Sequence, residues 1–153
     1  MQYTSHNKEE HSEAKKLLKK IEKSKEDKKE LFRELFVMIH AHHTSEEAVI
    51  FPVVKERAKK KDTETLLEMI EEHNLIKYQF SLVDRTSEEN ETWDAKFSVL
   101  KEILEHHLKE EVKEFSPIVD KLIPDSESEE LMVEFEKIYA EKEAEKKKEL
   151  SEK

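Results

Sequence analysis

The 153-residue chain has no glycine, no cysteine and only three prolines. Sheets joined by tight turns rely on glycine's freedom at positive φ. Its absence, beside abundant Glu, Lys and Leu, points to helices joined by short polar loops. Without cysteine the chain has no disulfide, no thiolate zinc site, no cysteine-held iron–sulfur cluster and no thiol nucleophile. Long apolar runs are missing as well. No segment approaches the roughly 18 apolar residues of a spanning helix. The opening stretch MQYTSHNKEEHSEAKK lacks the apolar core of a signal peptide. The expectation is a soluble cytoplasmic protein without a membrane partner. Basic residues are outnumbered: 28 Lys and Arg against 38 Asp and Glu give a formal charge of −10. Such a surface repels phosphate backbones and argues against a nucleic-acid partner.

What is present is charge wrapped around apolar stripes of helical period, in five segments. The first runs from Thr4 or Ser5 to Ser24 and aligns His11, Ala14, Leu18 and Ile21. The second starts near Asp27 and reaches about Lys60, with Leu31, Leu35, Ile39, His42, Glu46, Val49, Ile50 and Val53 on one face. Pro52 lies inside it and is expected to kink or restart it. The third, capped by Asp62 or Thr63, carries Leu66, Ile70, His73, Ile76, Phe80 and Val83. The fourth, capped by Thr92, carries Trp93, Phe97, Leu100, Leu104, His107, Glu111, Phe115, Ile118 and Leu122, with Pro117 interrupting it. Ser126 and Glu129 then have capping-box spacing. They precede a fifth segment with Leu131, Phe135, Ile138 and Tyr139. From Glu141 an unbroken Glu/Lys/Ala run predicts a fraying solvated helix or a disordered end. Short connections favour antiparallel neighbours. The predicted fold is all-α: an antiparallel up-down-up-down four-helix bundle over residues 1–124, with residues 125–153 adding a C-terminal helix and charged tail to the same domain.

The stripes conceal a repeat. His42 and His107, Glu46 and Glu111, and Pro52 and Pro117 each lie 65 residues apart. Both segments therefore read His-x-x-x-Glu-x-x-x-x-x-Pro. The first and third helices match at an offset of 62, EEHSEAK at 9–15 against EEHNLIK at 71–77. Each copy of this helix pair offers one lone histidine and one His-x-x-x-Glu to the inside. Residues four apart share a helix face, so each His-x-x-x-Glu presents an imidazole beside a carboxylate.

Taken singly, a lone histidine on an apolar face is more often a satisfied core residue than a ligand, and one His-x-x-x-Glu is often a surface pair. The set is more specific. His11, His42, Glu46, His73, His107 and Glu111 make six donors on inward faces. That is too many for one zinc. Two ions bridged by the carboxylates use them all, and the imidazole–carboxylate mixture suits iron or manganese. Left bare, six buried polar groups would exceed the roughly 5–15 kcal/mol that holds an ordinary domain together. His43 is a candidate extra ligand beside His42. His6 lies off the His11 face. His40 and His106 are expected in solvent, as are Glu47 and Glu110. Trp93, Phe97 and Phe115 read as core, and Tyr78 as core or pocket rim.

The motifs EEHSEAKKL, HHTSEEAVIFP, EEHNLIKY and HHLKEEVKEFSP resemble those of the hemerythrin-like, or HHE cation-binding, family over residues 5–122. The resemblance implies an antiparallel four-helix bundle around a non-haem di-iron centre. It implies two iron ions, oxo- or hydroxo-bridged, held by His11, His42, Glu46, His73, His107 and Glu111, with manganese or zinc as substitute ions and the glutamates as bridges. It also implies a small diatomic or peroxide ligand. Two positions depart from the oxygen-carrying hemerythrins. Lys77 stands where they have a further histidine, and Val112 where they have an aspartate, while Glu111 sits one residue earlier. One iron should then be less saturated, which argues for redox turnover or sensing over oxygen storage. The expected function is reaction with or binding of O2, NO or peroxide, in sensing, detoxification or iron handling. An iron store or regulator without turnover is the alternative, and a metal-free helical interaction domain the third reading.

Overall fold

The apolar stripes are the faces on which the helices meet. A computed structural model of the chain describes residues 2–153; Met1, the first residue of the expected 1–124 unit, lies outside them. Among the described residues there is no strand. Helix α1 spans Tyr3–Lys23 and α2 spans Lys28–Ser45. A π-helical turn, Glu46–Ile50, links α2 to α3 (Phe51–Arg57). Helix α4 spans Lys60–Asp84 and α5 spans Trp93–Glu110. A second π-helical turn, Glu111–Phe115, links α5 to α6 (Ser116–Leu122), and α7 spans Asp125–Ser151. These pieces form five long rods: α1, α2–α3, α4, α5–α6 and α7.

The two proline-bearing rods are continuous, and the repeat is structural as well as sequential. Each proline occupies the second position of the resumed α-helix, where a missing N–H costs little. Just before it the helix widens by one residue. The N–H of Phe51 donates to the carbonyl of Glu46, and that of Ser116 to the carbonyl of Glu111. The additional residue turns the buried face, so Val54 is buried where Val53 was expected, and Val119 joins Ile118. Helix α1 begins at Tyr3, ahead of the expected Thr4 or Ser5, and the start or its cap differs from the sequence reading in three further places. Helix α4 begins at Lys60 without a side-chain cap. Thr92 flanks α5 but is held by Asn90 rather than capping. Helix α7 begins at Asp125, leaving Ser126 inside it.

Burial forms two separate apolar clusters. One gathers Leu18, Ile21, Leu35, Ile39, Ile76, Phe80, Leu100 and Leu104, closed by Phe32, Phe36, Trp93 and Phe97. The other gathers Tyr3, Val49, Ile50, Phe51, Leu66, Met69, Phe115, Ile118 and Phe135. Along α1, the α2 rod, α4 and the α5 rod, the histidines and glutamates of the repeat fall between a residue of one cluster and a residue of the other. The polar layer is thus sandwiched between two dry ones.

Helix α7 overturns the expectation of a frayed end. It packs along α2 for most of its length, with Phe135 against His42 and Lys146 4.3 Å from the Phe36 ring centre. Lys146 and Leu150 are buried. Arg33 donates to the Leu150 carbonyl at 3.0 Å, and Lys153 reaches Asp84 at 3.4 Å. A Glu/Lys/Ala run has high helix propensity, and these contacts pin its far end. Tyr78 is exposed, neither core nor rim. No helix among the described residues is long and apolar enough to cross a membrane.

Candidate metal centre

All six sequence-selected donors converge. His42 and Glu46 come from the end of α2 and its π turn, and His107 and Glu111 from the matching place on α5. His11 comes from α1 and His73 from α4. His42, Glu46, His107 and Glu111 are 0–1% exposed, and His11 and His73 are 5% and 3% exposed. Glu46 Oε1 lies 3.3 Å from His42 Nε2 and 3.6 Å from His73 Nε2. Glu111 lies 3.1 Å from His107 Nε2 and 3.6 Å from His11 Nε2. Each carboxylate therefore touches one histidine of its own helix and one from another rod. The π turns begin at these two glutamates, the position where such widened turns often serve a site.

Four further side chains hold this set, and the sequence reading missed their roles. The Tyr3 hydroxyl donates to Glu46 Oε2 and, at 3.2 Å, to Glu111 Oε1. The Asn7 amide donates to Glu111 Oε1. Tyr3, Asn7 and His11 stand four residues apart on one face of α1. That signal was present but lost by starting the helix after Tyr3. Glu72 Oε1 meets His107 Nδ1 at 2.6 Å, and Glu47 Oε1 meets His73 Nδ1 at 3.3 Å. These carboxylates fix the ring orientation and direct the other nitrogen, Nε2, inward.

His43 is also inside, 7% exposed, stacked on His73 with ring centres 3.6 Å apart. His6 is half-buried 5.9 Å from the His42 ring. His106 is exposed beside Glu110, as expected, whereas His40 is half-buried. A cavity of about 70 Å³ opens between α2 and α4 onto His43 and His73, walled in part by Glu47 and Lys77. A larger open groove of about 750 Å³, between α1, α2 and α7, lies away from the histidines; its lining of scattered lysines and glutamates gathers no comparable donors.

Burial and mutual proximity shift the protonation of these groups in opposite directions. Burial, reinforced by the charge of Glu111, pushes the Glu46 carboxyl well above the usual range. Burial pushes Glu111 the same way, but the neighbouring imidazoles of His107 and His11 outweigh it and hold the group well below. Burial takes His42 down to about 3, and His43 well below its ordinary value. Burial would also lower His107, yet the neighbouring carboxylates of Glu111 and Glu72 raise it to about 9. His42 and His43 are therefore neutral at pH 7, the form that coordinates metal.

The residues present fit a bound cation. Ten buried side-chain nitrogen and oxygen atoms among the described residues have no hydrogen-bond partner, and they belong to His6, Asn7, His11, His42, His43, Glu46, His73, His107 and Glu111. Such orphans are rare in folded proteins, and here every one lies at or beside the same layer. Overlapping donor groups, His11/His42/Glu111, Glu46/His73/Glu111 and His43/His73/His107, each bring their ligand atoms within 4.8 Å of one another. Imidazole with carboxylate and no thiolate suits iron, manganese or zinc.

Comparison with known proteins agrees with this geometry. No curated protein sequence matches the chain significantly. The crystal structure of a hemerythrin HHE cation binding domain-containing protein from Mycobacterium kansasii matches with a TM-score of 0.82 and 23% identity, covering 95% of this chain and 89% of that one. At that identity the likeness concerns the fold, which is hemerythrin-like. The family model for the hemerythrin HHE cation binding domain matches residues 4–119, and the chain belongs to that family.

Proposed function

We propose that this chain is a hemerythrin-like non-haem di-iron protein that binds or reacts with O2, NO or peroxide in the cytoplasm. In this reading residues 1–124 form the antiparallel four-helix bundle, and residues 125–153 buttress it within one domain. His11, His42, Glu46, His73, His107 and Glu111 would hold two irons. When bound, the iron pair supplies electrons and open coordination positions that no side chain here offers. The protein's own part is geometric. Tyr3 and Asn7 orient the carboxylates, Glu47 and Glu72 orient the imidazoles, and the two apolar clusters keep water away. The 70 Å³ cavity beside His43 and His73 has room for a molecule of two or three heavy atoms.

The observation carrying the proposal is the convergence of unpartnered buried donors on one layer. Anaerobic addition of Fe(II) tests it. About two irons per chain are expected, with near-ultraviolet and visible bands appearing on exposure to O2. Full iron loading in a His42→Ala, His107→Ala double variant would remove the ligand assignment. Catalytic consumption of peroxide or NO separates a turning-over centre from an iron store, which shows only stoichiometric change.

A further inference from the structure

The centre holds a seventh side chain with a ligand's chemistry: His43, one residue beyond His42. One step along a helix rotates the side chain by about 100°, which carries His43 away from α1 and toward α4. Its ring lies flat on His73, tilted by only 6°, and edge-on to His107 with centres 5.1 Å apart. A ring nitrogen of each of the three lies within 4.8 Å of the others. The Nε2 atom of His43 is buried without a partner, as are those of His73 and His107. A residue present only to pack here would be apolar, because an unsatisfied imidazole nitrogen destabilises a folded chain.

The donors sort into two groups once His43 is counted. His11 and His42 stand on the α1 and α2 side. His43, His73 and His107 stand toward α4 and α5. Glu46 and Glu111 lie between, each within reach of one histidine from either group. Building on the di-iron reading, we infer that His43 is a metal ligand, completing with His73 and His107 a three-imidazole set for one ion of the pair.

The test compares the full chain with His43→Phe, which keeps an aromatic ring in the stack and removes both nitrogens. After anaerobic loading with Fe(II) and desalting, the unmutated chain is expected to hold two irons. His43→Phe is expected to hold about one, with affinity for the second reduced at least about tenfold and the helical circular dichroism unchanged. Two tightly held irons in His43→Phe, with the parent absorption spectrum, overturn the inference and leave the di-iron reading standing. An unmutated chain that takes up no iron overturns both. Should His43→Phe fail to fold, cobalt(II) in the unmutated chain decides by proton NMR. Solvent-exchangeable imidazole N–H signals shifted by the metal should number five if His43 coordinates, and four if it does not.

Discussion

At the residue scale, the centre depends on groups that touch its donors as much as on the donors. Tyr3 bridges both carboxylates from a fully buried position. Tyr3→Phe removes a hydrogen bond that no water can replace, so the metal-free protein is expected to lose about 1–3 kcal/mol, read by urea unfolding in chelator. Glu72 has a different job. Its 2.6 Å contact orients His107 from the neighbouring helix. Glu72→Gln is expected to weaken metal binding about 10–100-fold, measured by chelator competition, and to lower metal-free stability at pH values below the raised pKa of His107, because the charge that helps hold His107 protonated is gone. Glu47, more exposed and at 3.3 Å from His73, should matter less, and equal losses for the two would contradict the geometry. These roles mark where the sequence stopped being legible. His42, Glu46, His107 and Glu111 could be found because a repeat with constant offset singles them out. Tyr3 and Asn7 carried a periodic signal that was cut off at the helix start. Glu72 shares the repeated EEH with Glu10, but beside His73 it reads as one more surface acid, and only the packing of α4 on α5 brings it to His107.

At the scale of elements, the widened turns and the last helix show what periodicity does and does not encode. Pro52 and Pro117 announced an interruption, but the structure resolves it upstream, as a π turn that begins six residues earlier at each glutamate. No residue type at 46–50 or 111–115 marks that choice. Hydrogen bonding around a proline admits several repairs, and tertiary packing selects among them. Helix α7 was legible as far as Tyr139 because its apolar residues recur there. Beyond it, Leu150 is the one large apolar residue in the charged run, too sparse for a period. Its burial, and the bond from Arg33 to its carbonyl, make it the clasp of the helix on α2. Leu150→Ala is expected to cost about 2–5 kcal/mol in thermal or urea unfolding. It should also raise hydrogen exchange of the last turns of α7 while leaving α4 and α5 protected. A frayed tail would register neither change.

At the scale of the whole molecule, the polar layer divides a core that could otherwise be continuous. Two buried carboxylates facing each other, with imidazoles that lack partners, are an uncompensated cost in the metal-free chain. The fold tolerates them because the apolar clusters on either side are large and α7 adds to both. Metal binding then acts as folding free energy: a ligand that binds only the native state raises stability as its concentration rises above its dissociation constant. The consequence is an inversion that one variant exposes. Glu46→Gln keeps an oxygen to accept the Tyr3 hydroxyl but deletes the acid whose burial beside Glu111 is unfavourable. In chelator the variant is expected to melt at or above the parent temperature, since it has one fewer buried carboxyl to accommodate. With Fe(II) under anaerobic conditions the order reverses: the parent rises with metal concentration and the variant does not. Paired melting curves, with and without iron, read both signs at once. A variant less stable than the parent in chelator and still stabilised by iron would mean that Glu46 supports the fold without holding the metal. The cation would then be held by the other donors of the layer.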